Sequence, residues 1–340
     1  MPADIGKAKL GFWPGFANVP GNFFRKADRP FTFFPFMPMF KEHLQLHFIV
    51  LLWGFTAIIG KEISLGALEL VFFRTLLAGV GFGALVLLMR RAGQWPSRRV
   101  QWQFVGNGVL VALHWITFFG AARVSNISIC LVGLATVTLF TAFLEPLIMG
   151  TRLKWFEIML GLAAVAGLYT IVQAEGEHLL GLGISLLSAL LAATFSVINK
   201  HFSQYRMPLK VSFLEMVGAW ACTALAVAAL AGLSDEPLNM VPTPADWGWL
   251  LVLALACTVY AFYYSIKLLE KLSAFYVNLT VNLEPVYGIC LALLIYGESE
   301  EMTPGFYWGA GIILLSVLVY PLLDRRFGPK PIPVPAEPAA

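Results

Sequence analysis

Charge is scarce in this chain. Lys, Arg, Asp and Glu together make 13% of its 340 residues, against roughly 25% in soluble domains. The formal net charge of +3 is too small for a nucleic-acid surface, so no nucleic-acid partner is expected. Cysteine is scarce too. The four (Cys130, Cys222, Cys257 and Cys290) all lie in apolar segments, none in C-x-x-C or Cys/His spacing, which excludes a disulfide framework and a zinc site and leaves no metal ligands. A Gly-rich nucleotide loop, an H-E-x-x-H pair and a G-x-S-x-G elbow are all missing, so no catalytic residue and no cofactor are expected, and energy must come from a gradient. The first 40 residues hold no signal-peptide core and no small-residue cleavage site.

Hydrophobicity is what the chain has. Apolar residues make up 59% of it and mean hydropathy is +0.76, where soluble domains run at roughly 45–50% apolar. Stretches of about 20 apolar residues, the length that crosses a bilayer core, fall at 44–60, 66–89, 102–122, 127–149, 155–173, 179–200, 209–231, 246–268, 273–296 and 304–323. The expectation is an all-α integral membrane protein of ten transmembrane helices. A β-barrel is excluded because its strands are short and alternate. Residues 1–40, rich in Pro, Gly, Phe and basic side chains, read as a disordered tail, with Met37 and Met39 as alternative starts just before "FKEHLQLHFIVLLWG". Residues 325–340 form a Pro-rich C-terminal tail.

The loops give an orientation. Arg90, Arg91, Arg98 and Arg99, then Arg152 and Lys154, Lys200, Arg206 and Lys210, Lys267 and Lys271, and Arg325, Arg326 and Lys330 all fall on one side. The other side carries Glu175, Glu177, Asp235, Glu236, Glu298, Glu300 and Glu301, with Lys61 and Arg123 as its basic residues. Excess Lys and Arg mark the cytoplasmic side, so both termini are expected in the cytoplasm and the protein in the inner (plasma) membrane as a multi-pass chain.

Ten spans with both ends inside permit two five-helix halves of opposite orientation. "WGFTAIIGK" (53–61) lies against "AATFSVINK" (192–200), and "GTRLKWFEIMLGLAAVAGL" from Gly150 against "GESEEMTPGFYWGAGIILL" from Gly297. This reads as an inverted repeat, 41–174 and 175–324, a design that places a substrate near the midplane between the halves. The "LLWGFTAIIGK" opening, "FFRTLLAG" in the second span, "ALHWITFFGAARVSNIS" across the third and fourth, and "EIMLGLAAVAGL" in the fifth resemble the drug/metabolite transporter superfamily, EamA-type branch. The resemblance covers about 44–323. It implies a ten-helix secondary transporter whose spans 1, 3, 4, 6, 8 and 9 enclose a cavity, and a small-molecule substrate in a setting of membrane lipid.

Polar residues at depth are the site candidates, because each is costly in hydrocarbon unless paired, neutralised or facing water. "NLTVNLEPVYG" (278–288) places Glu284 roughly 16 Å from the end of its helix, near the centre of a ~30 Å core. Asn278 and Asn282 share one face there. Pro285 frees the carbonyl of Val281 for a ligand or water, or simply kinks the helix. The similar "FLEPLIMG" (143–150) puts Glu145 at the cytoplasmic edge beside Arg152 and Lys154 instead. His114 and Trp115 lie near the midplane of the third span. Arg74, in the second, is placed either to pair with Glu284 or to reach toward Glu62 or Glu69. Tyr260 and Tyr264 share a face of the eighth span. Thr138, with Thr136 and Thr141, offers hydroxyls in the fourth, and Trp53 stands in the first as cavity wall or lipid-facing filler. Each has an ordinary packing or anchoring alternative.

The expected function is secondary-active export of small metabolites such as amino acids by alternating access, with proton coupling through Glu284 and His114 and a monomeric or homodimeric assembly. A multidrug or a nucleotide-sugar or sugar-phosphate carrier of the same superfamily is the alternative; the latter should bring several cations to depth, and only Arg74 qualifies. An integral-membrane enzyme or a channel is disfavoured by the lack of convergent acids and by the repeat.

Overall fold

The structure is a computed structural model and describes residues 40–89, 94–125, 127–172, 179–233, 238–284, 286–287, 291 and 304–328. Every regular element among them is helical. In chain order they are α1 (Phe40–Glu62), α2 (Ala67–Leu88), α3 (Arg98–Val124), α4 (Ile127–Ala135), α5 (Val137–Met149), α6 (Trp155–Val172), α7 (Leu179–Phe202), α8 (Pro208–Leu233), α9 (Pro244–Ala254), α10 (Ala261–Leu268), α11 (Ala274–Val281) and α12 (Pro304–Phe327). A 3₁₀ turn, Ser203–Tyr205, comes after α7, and a π-helical turn, Leu255–Tyr260, joins α9 to α10.

Six of these segments are long and apolar enough to cross a membrane: Phe40–Glu62, Ala67–Leu88, Arg98–Val124, Leu179–Tyr205, Pro208–Leu233 and Pro244–Leu268. Their outer faces stay apolar, with Leu87, Leu88, Leu225, Leu233 and Trp102 exposed, as expected of helices solvated by hydrocarbon rather than water. Inside, α3 packs on α7 and α8, α2 on α8, α4 and α5 on α7, α11 on α5, and α6 on α12.

Three expected helices are interrupted, and each interruption has a local cause. The stretch 127–149 breaks at Thr136, whose amide and hydroxyl both turn back to the Gly133 carbonyl, at 3.1 and 2.6 Å. The stretch 246–268 widens into the π turn, where the Thr258 hydroxyl bonds the Leu253 carbonyl five residues back (2.9 Å). In the stretch 273–296, α11 loosens at Asn282 and Leu283, whose amides bond Leu279 and Thr280 three residues back. Pro285, and with it the expected freeing of the Val281 carbonyl, lies outside the described residues, as do most of 288–303.

Loop chemistry holds the ends. Asp246 accepts from the Ser64 amide (2.8 Å) and hydroxyl (2.7 Å) and forms a capping box with Thr243, tying the α1–α2 turn to the start of α9. At the other end Lys154 bridges Glu157 (3.1 Å) and Asp324 (2.9 Å), and Tyr320 donates to Glu157 (3.2 Å), so α6 and α12 are clamped together. Burial works against the Lys154 ammonium, but Asp324 and Glu157 prevail and raise its pKa above the ordinary lysine value. Lys271 pairs with Glu42 at the start of α1.

The α3–α8 crossing is closest at two glycines. A Cβ on Gly108 would strike the backbone carbonyl of Glu215, and one on Gly218 the backbone carbonyl of Val105, so the two helices meet backbone to backbone, as small residues allow. Gly108→Ala or Gly218→Ala is therefore expected to cost about 1–3 kcal/mol of stability through overpacking, read as a lowered unfolding temperature in detergent. Gly106→Ala, where a Cβ meets open space, is expected to show no such loss.

Candidate functional site

A cavity of about 100 Å³ opens between α1, α2, α3, α4, α5, α7, α10 and α11, room for several waters or the body of a small organic molecule. Its walls are largely apolar, with Trp53, Trp115, Phe118, Phe195 and Phe262 as the aromatic part. Polar groups enter at a few points, the usual composition of a small-molecule pocket.

Arg74 comes from α2 and is 2% exposed. Its Nε donates to the Thr258 hydroxyl at 2.9 Å, and its guanidinium carbon lies 3.8 Å from the Trp115 ring centroid, a cation–π stack. The π turn makes this possible, since the extra residue in that turn is what presents Thr258 to α2; the same turn offers the Cys257 carbonyl to Trp53 Nε1 at 3.1 Å. Arg74's remaining N–H groups find no acceptor among the described residues. Glu284, 5% exposed, lines the same cavity, and its carboxyl has neither hydrogen bond nor ion pair among the described residues.

His114 lies on α3 with Nδ1 between the Ser188 carbonyl (3.0 Å) and hydroxyl (2.8 Å) of α7. A proton on Nδ1 satisfies that carbonyl and leaves Nε2 as the acceptor of the neutral ring. Asn278 donates to Thr141 (2.8 Å) and accepts from Ser196 (3.2 Å), joining α11 to α5 and α7 at the cavity's edge.

Of the ten residues the sequence singled out, Trp53, Arg74, His114, Trp115, Asn278 and Glu284 are brought to one cavity. Thr138 and Asn282 are not at its surface; they bond each other at 2.6 Å, and Asn282 also reaches the Ala135 carbonyl at 3.4 Å, bracing α11 across the Thr136 break. Tyr260 and Tyr264 do share a face, with rings 4.7 Å apart, but that face meets Phe48 and Lys267 rather than the cavity. One inserted residue rotates the rest of a helix by roughly 100°, and it is Phe262 and Ser265 that line the cavity. Arg74 reaches neither Glu62 nor Glu69; it is held inward by Trp115 and Thr258.

Some functional contacts were not visible beforehand. Ser188 and Ser196 are small hydroxyls in an apolar helix and usually serve their own backbone. Glu145 does more than mark an edge: its carboxylate accepts the amides of Ala274 (3.1 Å) and Phe275 (2.7 Å), capping the N-terminus of α11 from another helix. Lys200 matches it by donating to the carbonyls of Leu269 (2.7 Å) and Leu272 (2.9 Å) at the end of α10. Glu215, fully buried on α8, is absent from the sequence-based candidates although its charge inside an apolar run is a readable signal.

A bundle of apolar helices that encloses an aromatic cavity holding one guanidinium and one carboxyl has the layout of a membrane carrier. The model of the EamA-like transporter family matches residues 41–173 and again 179–320. The chain belongs to that family, as two consecutive EamA repeats, and is a multi-pass membrane protein of the drug/metabolite transporter superfamily. Among solved structures, one described only as a crystal structure of a protein superposes with a TM-score of 0.67 at 17% identity, over 84% of this chain and 98% of that one, and so shares the fold. Among curated proteins, none matches.

Glu145→Ala is expected to leave two amides at the start of α11 without acceptors and to cost about 1–3 kcal/mol. Hydrogen exchange should quicken at Ala274 and Phe275 while α9 is unaffected.

Proposed function

We propose that this protein is a secondary carrier of small zwitterionic metabolites, amino acids being the best fit, working by alternating access and exporting from the cytoplasm. The observation that carries this reading is that one cavity brings together a guanidinium, Arg74, and a carboxyl, Glu284, neither of them in an ion pair among the described residues. A zwitterion offers a carboxylate to the guanidinium and an ammonium to the carboxyl, while its side chain packs on Trp53, Trp115 or Phe262. Asn278 borders the same space and would orient the substrate's polar end. Arg74 is the single cation at the cavity among the described residues, which disfavours sugar phosphates and nucleotide sugars, because they carry more negative charge than Arg74 alone neutralises.

The reading includes ten membrane-spanning helices in two inverted halves, with both termini in the cytoplasm of a cell whose plasma membrane holds the protein. In support, α2 packs on α8 and α6 on α12; these are the second and fifth helices of each half meeting their own counterparts, as a two-fold relation between halves requires. Proton coupling is part of the reading, through Glu284 with His114 as a neighbouring titratable ring.

Counterflow in proteoliposomes tests the site. With unlabelled amino acid inside, labelled amino acid should enter saturably and stereoselectively. Arg74→Lys and Glu284→Gln should each weaken apparent affinity by about tenfold or more, as loss of a charge-assisted hydrogen bond of roughly 1.5–3 kcal/mol implies. Tyr260→Phe, away from the cavity, should leave it unchanged. Full activity in both charge variants would remove Arg74 and Glu284 from the substrate's path.

A further inference from the structure

A second polar centre lies outside the substrate cavity, where α3, α7 and α8 meet. Glu215 on α8 is 0% exposed. Its Oε1 accepts from Asn107 Nδ2 of α3 at 2.6 Å, and its Oε2 from Asn199 Nδ2 of α7 at 3.4 Å. Asn107 Nδ2 also faces Asn199 Oδ1 at 3.1 Å and the Phe195 carbonyl at 3.4 Å, so one amide nitrogen with two hydrogens faces three acceptors. Its own oxygen, Asn107 Oδ1, is buried without any partner, as is the hydroxyl of Ser212, three residues before Glu215 on the same helix. Among the described residues nothing cationic completes the cluster. Arg74 on α2 is committed to Thr258 and Trp115, Lys210 on α8 reaches the Gln94 carbonyl, and Lys200 on α7 the carbonyls of Leu269 and Leu272. Lys267 on α10 lies over Tyr263 and Tyr264, His114 on α3 bonds Ser188, and His201 on α7 packs on Phe202. Among the described residues only Asn107 and Asn199 interact with the carboxyl.

We propose that Glu215, clasped by Asn107 and Asn199, is a proton-binding site separate from the substrate cavity, and that it carries a proton coupled to transport; this rests on the carrier reading above. The cluster accommodates both forms of the acid. As a carboxylate, Glu215 accepts from the two amides in the arrangement observed. When a proton from water adds to Oε1, the acid needs an acceptor, and the unpartnered Asn107 Oδ1 is available. Turning that amide over sets an O–H···O bond across the same short gap. A turned Asn199 then donates its Nδ2 to Asn107 Oδ1 and gives up its 3.4 Å contact with Oε2. Release returns the proton to water and the amides to their first setting, so one proton is taken up and one given back with no electrons moved. Ser212, three residues earlier on α8, adds a second buried polar atom without a partner to this stretch of the helix. Because the three clasped residues sit on three helices, and α3 and α7 also carry His114 and Ser196 of the cavity, repacking of these helices during transport changes the clasp.

The test uses the full chain in proteoliposomes. Glu215→Gln keeps the amide hydrogen bonding but cannot take up a proton. It is expected to retain counterflow without a gradient, and to lose acceleration by an imposed pH gradient by at least about tenfold, the pH dependence that remains being that of Glu284 at the cavity. Retention of gradient-driven flux in Glu215→Gln overturns the proposal, as does wild-type flux that depends on sodium instead of pH. A second measurement stands if that variant does not fold, or if counterflow itself fails and the carrier reading with it. Infrared difference spectra of Glu284→Gln protein between low and high pH should retain a buried carboxylic-acid carbonyl band that shifts when Asn199→Ala is added. No such band, or a band indifferent to Asn199, overturns the proposal.

Discussion

The structure depends on holding a guanidinium inside a helical bundle made for hydrocarbon. Arg74 cannot leave α2, and burying its charge is expensive unless something nearby compensates. Two devices do so. Trp115 offers the face of its indole, and the π turn between α9 and α10 offers the Thr258 hydroxyl. Neither exhausts the guanidinium, whose outer N–H groups remain turned to the cavity that Glu284 also lines. The arrangement leaves one guanidinium and one carboxyl pre-positioned and incompletely satisfied among the described residues, the few convergent polar groups that orient a ligand in an apolar pocket.

Around this centre three helices are interrupted. The Thr136 break separates α4 from α5, the π turn separates α9 from α10, and α11 loosens just before Glu284. Interrupted helices are tolerated at membrane depth when they line a cavity or are braced by neighbours. The bracing is specific here: Asn282 to Thr138 and Ala135, Asn278 to Thr141 and Ser196, and Glu145 to the first amides of α11.

Much of this was legible in the sequence. Continuous apolar runs give away the helices, and a charged residue in such a run stands out, which is why Glu284, Arg74 and His114 were found. Depth counted along a helix also separated Glu284 from Glu145, although the motifs around them look alike. What could not be read was rotation and partnership. The π insertion has no sequence signature, and it carried Tyr260 and Tyr264 away from the cavity their spacing suggested. Glu145 looked like an interface anchor because the helix end it caps is about 130 residues away. Ser188, Ser196 and Thr258 are indistinguishable by sequence from hydroxyls that only bond their own helix. Glu215 was readable as a charge in an apolar run and was passed over, whereas Asn107 and Asn199 gain their meaning only when three helices bring them to it.

The central claim is that the cavity recognises both charges of a zwitterion. Calorimetric titration of the purified protein with an amino acid, its carboxamide and its N-acetyl derivative addresses that claim most directly. Both modified forms keep the side chain, and each removes one of the two charges. The account predicts heat of binding for the amino acid and affinity at least about tenfold weaker for both derivatives, each having lost one charge-assisted contact. Equal affinity for all three forms would contradict it, because the cavity would then be reading the apolar side chain alone.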